Sequence, residues 1–327
     1  MRRYAFRILM GSLLLVSFGW DTLSRAQDAP PGYPARPIRI IVPVVPGGGL
    51  DIICRSVGQM LTERWGQSVI VDNRAGGGTV LATELAAKAA PDGYTLFAGT
   101  DTLRVVGVTK RVAFDVRKAF DPVVPMAGQP YILIVSPTLP VKNVKDLIAY
   151  SMSQSLSYGS SGVGTVAHLG LEYLTAQTGA KFVHVPYKGG AQALLALLGG
   201  EIHMYPGLLL SASPAIKTGK AHALAALSLK RIPALPDLPT VAEQGFPGFK
   251  ITNSYSLFAP AGTPRPIINA INRYVGEFMN SPQMVQKLTA EGSQAAERMP
   301  PDEFKAFFAR EYEEIERQIK QIKVKLY

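Results

Sequence analysis

The chain has 327 residues, a formal net charge of +10 and a single cysteine. That length suits one large or two medium domains with substantial cores. One cysteine excludes an internal disulfide. Scattered Lys and Arg with no basic-aromatic motif argue against nucleic acid.

The first 26 residues read as an export signal rather than part of the fold. Arg2, Arg3 and Arg7 precede an apolar run from Ile8 to Trp20, and Ser24 and Ala26 supply the small residues of a cleavage site. The run is short for a membrane span. Arg2-Arg3 hints at twin-arginine export, but its flanks match poorly and the general secretory route is preferred. No cysteine lies near the cleavage point to carry a lipid. Removing the segment takes away four arginines and one aspartate and lowers the charge to +7. The rest is expected to be soluble and exported, with an acidic small molecule as a suitable partner.

The stretch Pro43 to Arg55 organises the rest of the chain. The apolar run Ile38 to Val45 reads as a buried strand, Gly47 to Gly49 as a turn, and Ile52, Ile53, Val57, Met60 and Leu61 as one face of a helix. The first N–H groups of a helix lack internal acceptors and carry partial positive charge, so a glycine turn there suits a carboxylate or phosphate. No Gly-Lys-Ser or Gly-Lys-Thr closes the loop, and Ile52 stands where a dinucleotide fold needs its third Gly or Ala. Asp51 reads as a first-turn charge favoured by the helix dipole rather than a catalytic acid. Cys54 reads as a small buried residue.

Strand-like and helix-like segments then alternate, which predicts α/β layers. A strand at Ser68 to Asp72 leads to a second glycine loop, Asn73 to Val80, and an alanine-rich helix from Leu81 to Ala90. A third strand, Tyr94 to Ala98, comes next. Pro122 to Ser136 is long, apolar and extended, and is expected to cross into a second domain. Val144 to Ser151 reads as a helix capped near Asn143. At Leu156 to Leu174 a short strand again enters a Ser/Gly loop, with a helix from Thr165. The strand Phe182 to Tyr187 leads into a helix from Ala191 to Leu198. Pro233 to Pro247 reads as a proline-rich loop holding a short helix. Ile251 to Ala259 is expected to carry the chain back, and two final helical stretches include a core-facing stripe from Phe304 to Ile322. Two glycine turns in two domains joined by two crossings predict a hinged cleft that closes on an acid.

The motifs Y-P-A-R-P-I-R-I-I-V-P at Tyr33, P-G-G-G-L-D, N-R-A-G-G-G, A-A-P-D-G-Y-T-L at Ala89, Y-G-S-S-G-V-G-T-V-A-H at Tyr158, H-V-P-Y-K-G-G at His184 and F-A-P-A-G-T-P at Phe258 span the chain beyond the signal, as does L-P-D-L-P-T-V-A-E-Q-G-F-P-G-F. With them the chain resembles the periplasmic solute-binding proteins of tripartite tricarboxylate transporters, the Bug family. The resemblance implies a type II periplasmic-binding fold of two α/β lobes: residues 33–125 with 256–327, and residues 126–255, with hinges near 122–136 and 251–259. It implies a di- or tricarboxylate or aromatic acid as ligand, no chemistry of the protein's own, no cofactor, and a monomer. Transporter membrane subunits are the expected partners, or a sensor kinase in their place.

The ligand carboxylate is implied to lie between the loop Pro46 to Asp51 and the loop Ser160 to His168. Gly47, Gly48 and Gly49 would offer N–H groups from one lobe; Ser160, Gly164 and Thr165 would offer donors from the other. Thr100 and Thr102 would line the cleft, His168 would support or line it, and Tyr187 would border the distal part of the ligand. Two departures from the family stand out. Val44 replaces a usual aromatic residue, and Tyr205-Pro206-Gly207 replaces an acidic residue and Asn, which argues against an amino-acid ligand. Arg104 could reach a second carboxylate, but reads first as a solvated surface residue.

Two enzyme readings compete. Gly162, Gly164 and Ala167 spell G-x-G-x-x-A, yet no acidic residue occurs between Lys181 and Gly200 to hold a ribose. Neither Ser160 nor Ser161 fits a nucleophile elbow. His184 and His203 could share a sheet face, but no Cys or carboxylate cluster joins them, so no metal site is expected.

Overall fold

The computed structural model describes residues 29–322 apart from Glu291; the expected export signal lies outside them. The chain opens with β1 (Ile38–Val42), α1 (Gly49–Trp65), β2 (Val69–Asn73), a 3-10 turn at Gly77–Thr79, α2 (Val80–Ala87), β3 (Thr95–Thr100), α3 (Thr102–Val108) and α4 (Val116–Ala119). The long strand β4 (Phe120–Val135) is next, then α5 (Val144–Ser153), β5 (Leu156–Ser160), α6 (Val166–Thr178), β6 (Phe182–Pro186), α7 (Gly190–Leu198), β7 (Met204–Leu208), α8 (Leu209–Lys217) and β8 (His222–Ala226). It ends with β9 (Thr252–Pro260), α9 (Arg265–Met279), α10 (Pro282–Ala290), β10 (Gln294–Ala295) and α11 (Pro301–Gln321).

The strands pair in the order β2-β1-β3-β9-β4-β7-β5-β6, with β8 and β10 also on β4. β1 is apolar along its length because it is central, paired in parallel with both β2 and β3 and covered on both faces. The two stretches expected as crossings are β4 and β9. They pair antiparallel from Phe120↔Pro260 to Pro130↔Thr252, after which β4 leaves β9 and pairs with β7 and β8. One strand thus serves two groups of strands and carries a different core on each portion.

Around β1, β3 and β9 the core contains Ile40, Leu61, Leu257 and Ile271, with Phe97, Phe120 and Phe258 on the other face. Around β5 and the end of β4 it contains Leu133, Tyr158, Leu171 and Phe249 on one face and Ile134, Ala193 and Tyr205 on the other. The stripe on α11 is a core face: Phe304, Phe308 and Tyr312 pack with Phe258, while Ile315, Ile319 and Ile322 reach the core of Leu171 and Phe249. The 233–247 stretch differs from expectation. It holds turns and a bridge from Thr240 to Ala226, with no helix, because its prolines interrupt the N–H ladder. No helix among the described residues is long and apolar enough to cross a membrane.

Phe258 is the node of the aromatic core, with ring centroids 5.3 Å from Phe308 and 5.8 Å from Phe304. Phe258→Ala should destabilise the protein by about 3–5 kcal/mol. Urea unfolding would show this as a lower midpoint, and an unchanged midpoint would contradict the packing described.

Candidate ligand-binding site

The first glycine turn is shaped by a carboxylate. Asp51, 2% exposed, accepts from the Gly47 N–H (2.9 Å), Arg55 Nε (3.0 Å) and Asn73 Nδ2 (2.9 Å). Asn73, the first residue of the second glycine loop, also donates to the Val44 carbonyl (2.9 Å) and accepts from Arg55 (3.0 Å). Burial pushes the Asp51 carboxyl up, but the hydrogen bonds from Arg55, Gly47 and Asn73 outweigh it and hold the group below its ordinary value. Asp51 is therefore a structural acid that folds the turn, as its place in the first helical turn predicts.

That network leaves the helix start open. Gly48 is the N-cap of α1 and has no side chain to cap it. The N–H groups of Gly48, Gly49 and Leu50 have no acceptor among the described residues. Gly47, with φ 86°, lets the chain turn left-handed into the helix, but its own N–H goes to Asp51 and is not free for a ligand. Gly49 sits against the crossing strands: a Cβ there would lie 3.1 Å from the Tyr255 hydroxyl and 3.4 Å from Gln129 Nε2. Tyr255 donates to Gln129 (2.7 Å) and accepts from Asn253 (3.0 Å). Val44 is half-buried on the core and Pro46 is exposed.

Thr100, half-buried, lies opposite Tyr255 in the sheet and accepts from the Thr102 N–H (3.3 Å); Thr102 is buried. Between them Asp101 is sealed and binds Arg104, Thr252 and Ser254. Arg104 is thus a buried partner of Asp101, 5% exposed, and not the solvated surface residue expected.

The second turn is closed on itself. Thr165 caps α6, accepting from the His168 N–H and donating to the Gly162 carbonyl (2.9 Å). The Gly164 N–H donates to His168 Nδ1 (3.1 Å). Ser160, fully buried, donates to the Gly162 carbonyl (3.0 Å), accepts from the Gly162 N–H (3.1 Å), and contacts His184 Nε2 at 2.7 Å. The expected ligand donors of Ser160, Gly164 and Thr165 are therefore engaged inside their own turn. The Ser160–His184 contact lacks the third group of a catalytic triad: the serine is bonded within its own turn, and no carboxylate among the described residues is hydrogen-bonded to His184.

His168 supports the loop from below. Its ring stacks on that of His184 at 3.8 Å, and Glu172, 3.9 Å away, accepts from the Tyr158 hydroxyl at 2.5 Å. Burial and the neighbouring His184 hold His168 down to about 3, and burial holds His184 down to about 4, so both rings are neutral at ordinary pH. His203, in contrast, lies against Ser157 (2.8 Å). No group of three His, Cys, Asp or Glu among the described residues could hold a metal ion.

Tyr187 is half-buried beside this turn and its N–H donates to the Ser160 carbonyl (3.1 Å). Tyr205, 4% exposed, directs its hydroxyl at Gly190, the first residue of α7. Sequence reasoning missed Gln129, Asn253 and Tyr255; their only local signal is polarity within two otherwise apolar strands.

The model of the tripartite tricarboxylate transporter family receptor matches residues 53–324. The chain belongs to that family. Protein BugT of Bordetella pertussis is 35% identical over 288 residues, covering 85% of this chain and 87% of BugT. Among solved structures, an R. palustris protein with adipate is 33% identical with a TM-score of 0.79, covering 89% of this chain and 98% of that one. MatC from Rhodopseudomonas palustris, with bound malate, is 28% identical with a TM-score of 0.78 and covers 88% and 99%. The receptor family's periplasmic-binding fold is therefore the fold of this chain.

Asp51 yields a pH-dependent prediction for this receptor. Its folded pKa lies below the unfolded one, so its contribution is full at neutral pH and is lost as pH falls below about 4 through the folded value. Asp51→Asn should cost about 1–3 kcal/mol at pH 7, and the gap from the native protein should narrow in acid. Urea midpoints across pH would check this; an equal midpoint at pH 7 would contradict it.

Proposed function

We propose that this protein is a periplasmic receptor that captures a small carboxylate for the membrane subunits of a tripartite tricarboxylate transporter, with no chemistry of its own. The observation that carries the reading is the uncapped glycine turn at α1, whose Gly48, Gly49 and Leu50 N–H groups have no acceptor among the described residues. Backbone donors at a helix start bind an anion through charge-assisted hydrogen bonds, each contributing about 1.5–3 kcal/mol. Membership of the receptor family supports the partner class, and the relatives holding adipate and malate support the ligand class.

In this reading residues 33–125 with 256–327 form one lobe and 126–255 the other, and they close about β4 and β9. Val44, Pro46, Thr100 and Thr102 flank the ligand on one side. On the other, the turn from Ser160 to His168, Tyr187 and Tyr205 complete the site, with His168 as its support. The protein is exported by its first 26 residues and works as a monomer.

Gly48→Asp tests the site. Gly48 has φ −75°, and a Cβ there meets only ordinary contacts of 3.7 and 3.8 Å, so the backbone accepts a side chain. Aspartate at an N-cap accepts from the helix N–H groups, so the variant should keep or raise its melting temperature while losing carboxylate binding by calorimetry. A variant that binds normally would place the site elsewhere.

A further inference from the structure

We propose a second ligand site behind the crossing strands, a cavity that takes a monocarboxylate with an aromatic or alkyl body. The proposal is independent of the receptor reading, which concerns the other face of those strands.

The even-numbered residues of β9 set this face. Thr252 and Ser254 turn away from Gly49 and are held by Asp101, and strand alternation puts Ser256 on the same side. All three line a cavity of about 370 Å³, within the size range of small-molecule sites. One wall is β10 and the start of α11, with Ala295, Met299, Phe304 and Phe307; another is the stretch Lys230 to Ile232 after β8. β10 pairs with β4 at Gly128 and β8 pairs with it from Ile132, and Gly128 to Pro130 also line the cavity. An occupant would therefore touch both groups of strands. No residue of either glycine turn lines it, nor does Thr100, Thr102, Tyr187 or Tyr205. With the surroundings of Gly49 it shares only Gln129 and Asn253.

Two buried polar side chains on its wall keep unused donors. Ser256, 6% exposed, has a hydroxyl with no hydrogen-bond partner among the described residues, and its oxygen is not one of the polar atoms sealed from solvent. Arg104, also buried, gives Nη2 to Asp101, while its Nε and Nη1 have no partner among the described residues. Of those two nitrogens Nε is sealed and Nη1 is not. A buried donor without an acceptor is costly, and a bound oxygen anion removes that cost.

Charge decides the sign of the ligand. Glu311 is the one acid on the wall, and Lys250 holds it at 3.0 Å; Arg231 is paired with Glu243 at 3.0 Å. Lys230, on the same wall, has no ion-pair partner among the described residues. A cation entering the cavity would meet Arg104 and Lys230 with no unpaired acid on the wall to answer it. A carboxylate would accept from Arg104 and the Ser256 hydroxyl, and its apolar body would lie against Met299 and Phe307.

Calorimetric titration of the Gly48→Asp variant of the exported protein, Gln27 onward, isolates this cavity from the α1 turn. The probes are benzoate, phenylacetate and octanoate, each beside its amide. At least one of these acids should bind, one per chain, and about tenfold or more tighter than its amide. Phe307→Glu, at a half-buried position of α11, brings a negative charge to the wall and should weaken that acid about tenfold or more. Ser256→Ala removes only the unused hydroxyl, should weaken it about threefold, and serves if Phe307→Glu fails to fold. No binding by any of the three acids, equal binding of acid and amide, or an affinity that survives both substitutions would overturn the site. Titration of the native chain tests the receptor reading separately, and that reading stands whichever way the cavity behaves.

Discussion

The structure depends on how the first N–H groups of α1 are left. Some helices in this chain are closed by an N-cap side chain: Asp115 caps α4, Asn143 caps α5 and Thr165 caps α6. At α1 the N-cap is Gly48, and the acid in the first turn, Asp51, is turned back to Gly47, Arg55 and Asn73. A buried carboxylate is costly without partners, and here its partners are the groups that shape the turn. The same residue that could have neutralised the helix start instead holds it open.

The floor beneath the turn comes from the crossing strands. Odd-numbered residues on β9, Asn253 and Tyr255, join Gln129 on the side of Gly49, while Thr252 and Ser254 point the other way and are held by Asp101. Asp101 in turn is paired with Arg104. Both faces of the crossing are thus fixed by hydrogen bonds between segments 126 to 153 residues apart. The crossing is a defined element, and α11 packs against cores on both sides of it.

Features encoded locally are legible in the sequence. The apolar run of β1, the glycine turn, the periodicity of α1 and the extended reach of β4 and β9 each depend on neighbours a few residues away, and family motifs locate the two turns. Features that depend on distant partners are not. Nothing near Arg104 announces that Asp101 pairs with it, because Asp101 is sealed by Thr252 and Ser254. Thr165 is expected from the family motif to be a ligand donor, and its bond to the His168 N–H shows it instead capping α6. Sequence spacing allows His184 a sheet face shared with His203, but its ring stacks on His168 from the adjacent helix. The prolines of the 233–247 stretch suggest the flanks of a short helix and instead exclude one.

The central claim is that an anion is held by backbone donors rather than transformed. A thermal-shift screen of the exported protein against carboxylates, their amides, NAD and NADP tests it most directly. A ligand at 100 times its Kd should contribute about 2.7 kcal/mol to stability, visible as a raised melting temperature. The account predicts a shift with a small carboxylate and none with the fully amidated compound. A shift confined to the dinucleotides would contradict it.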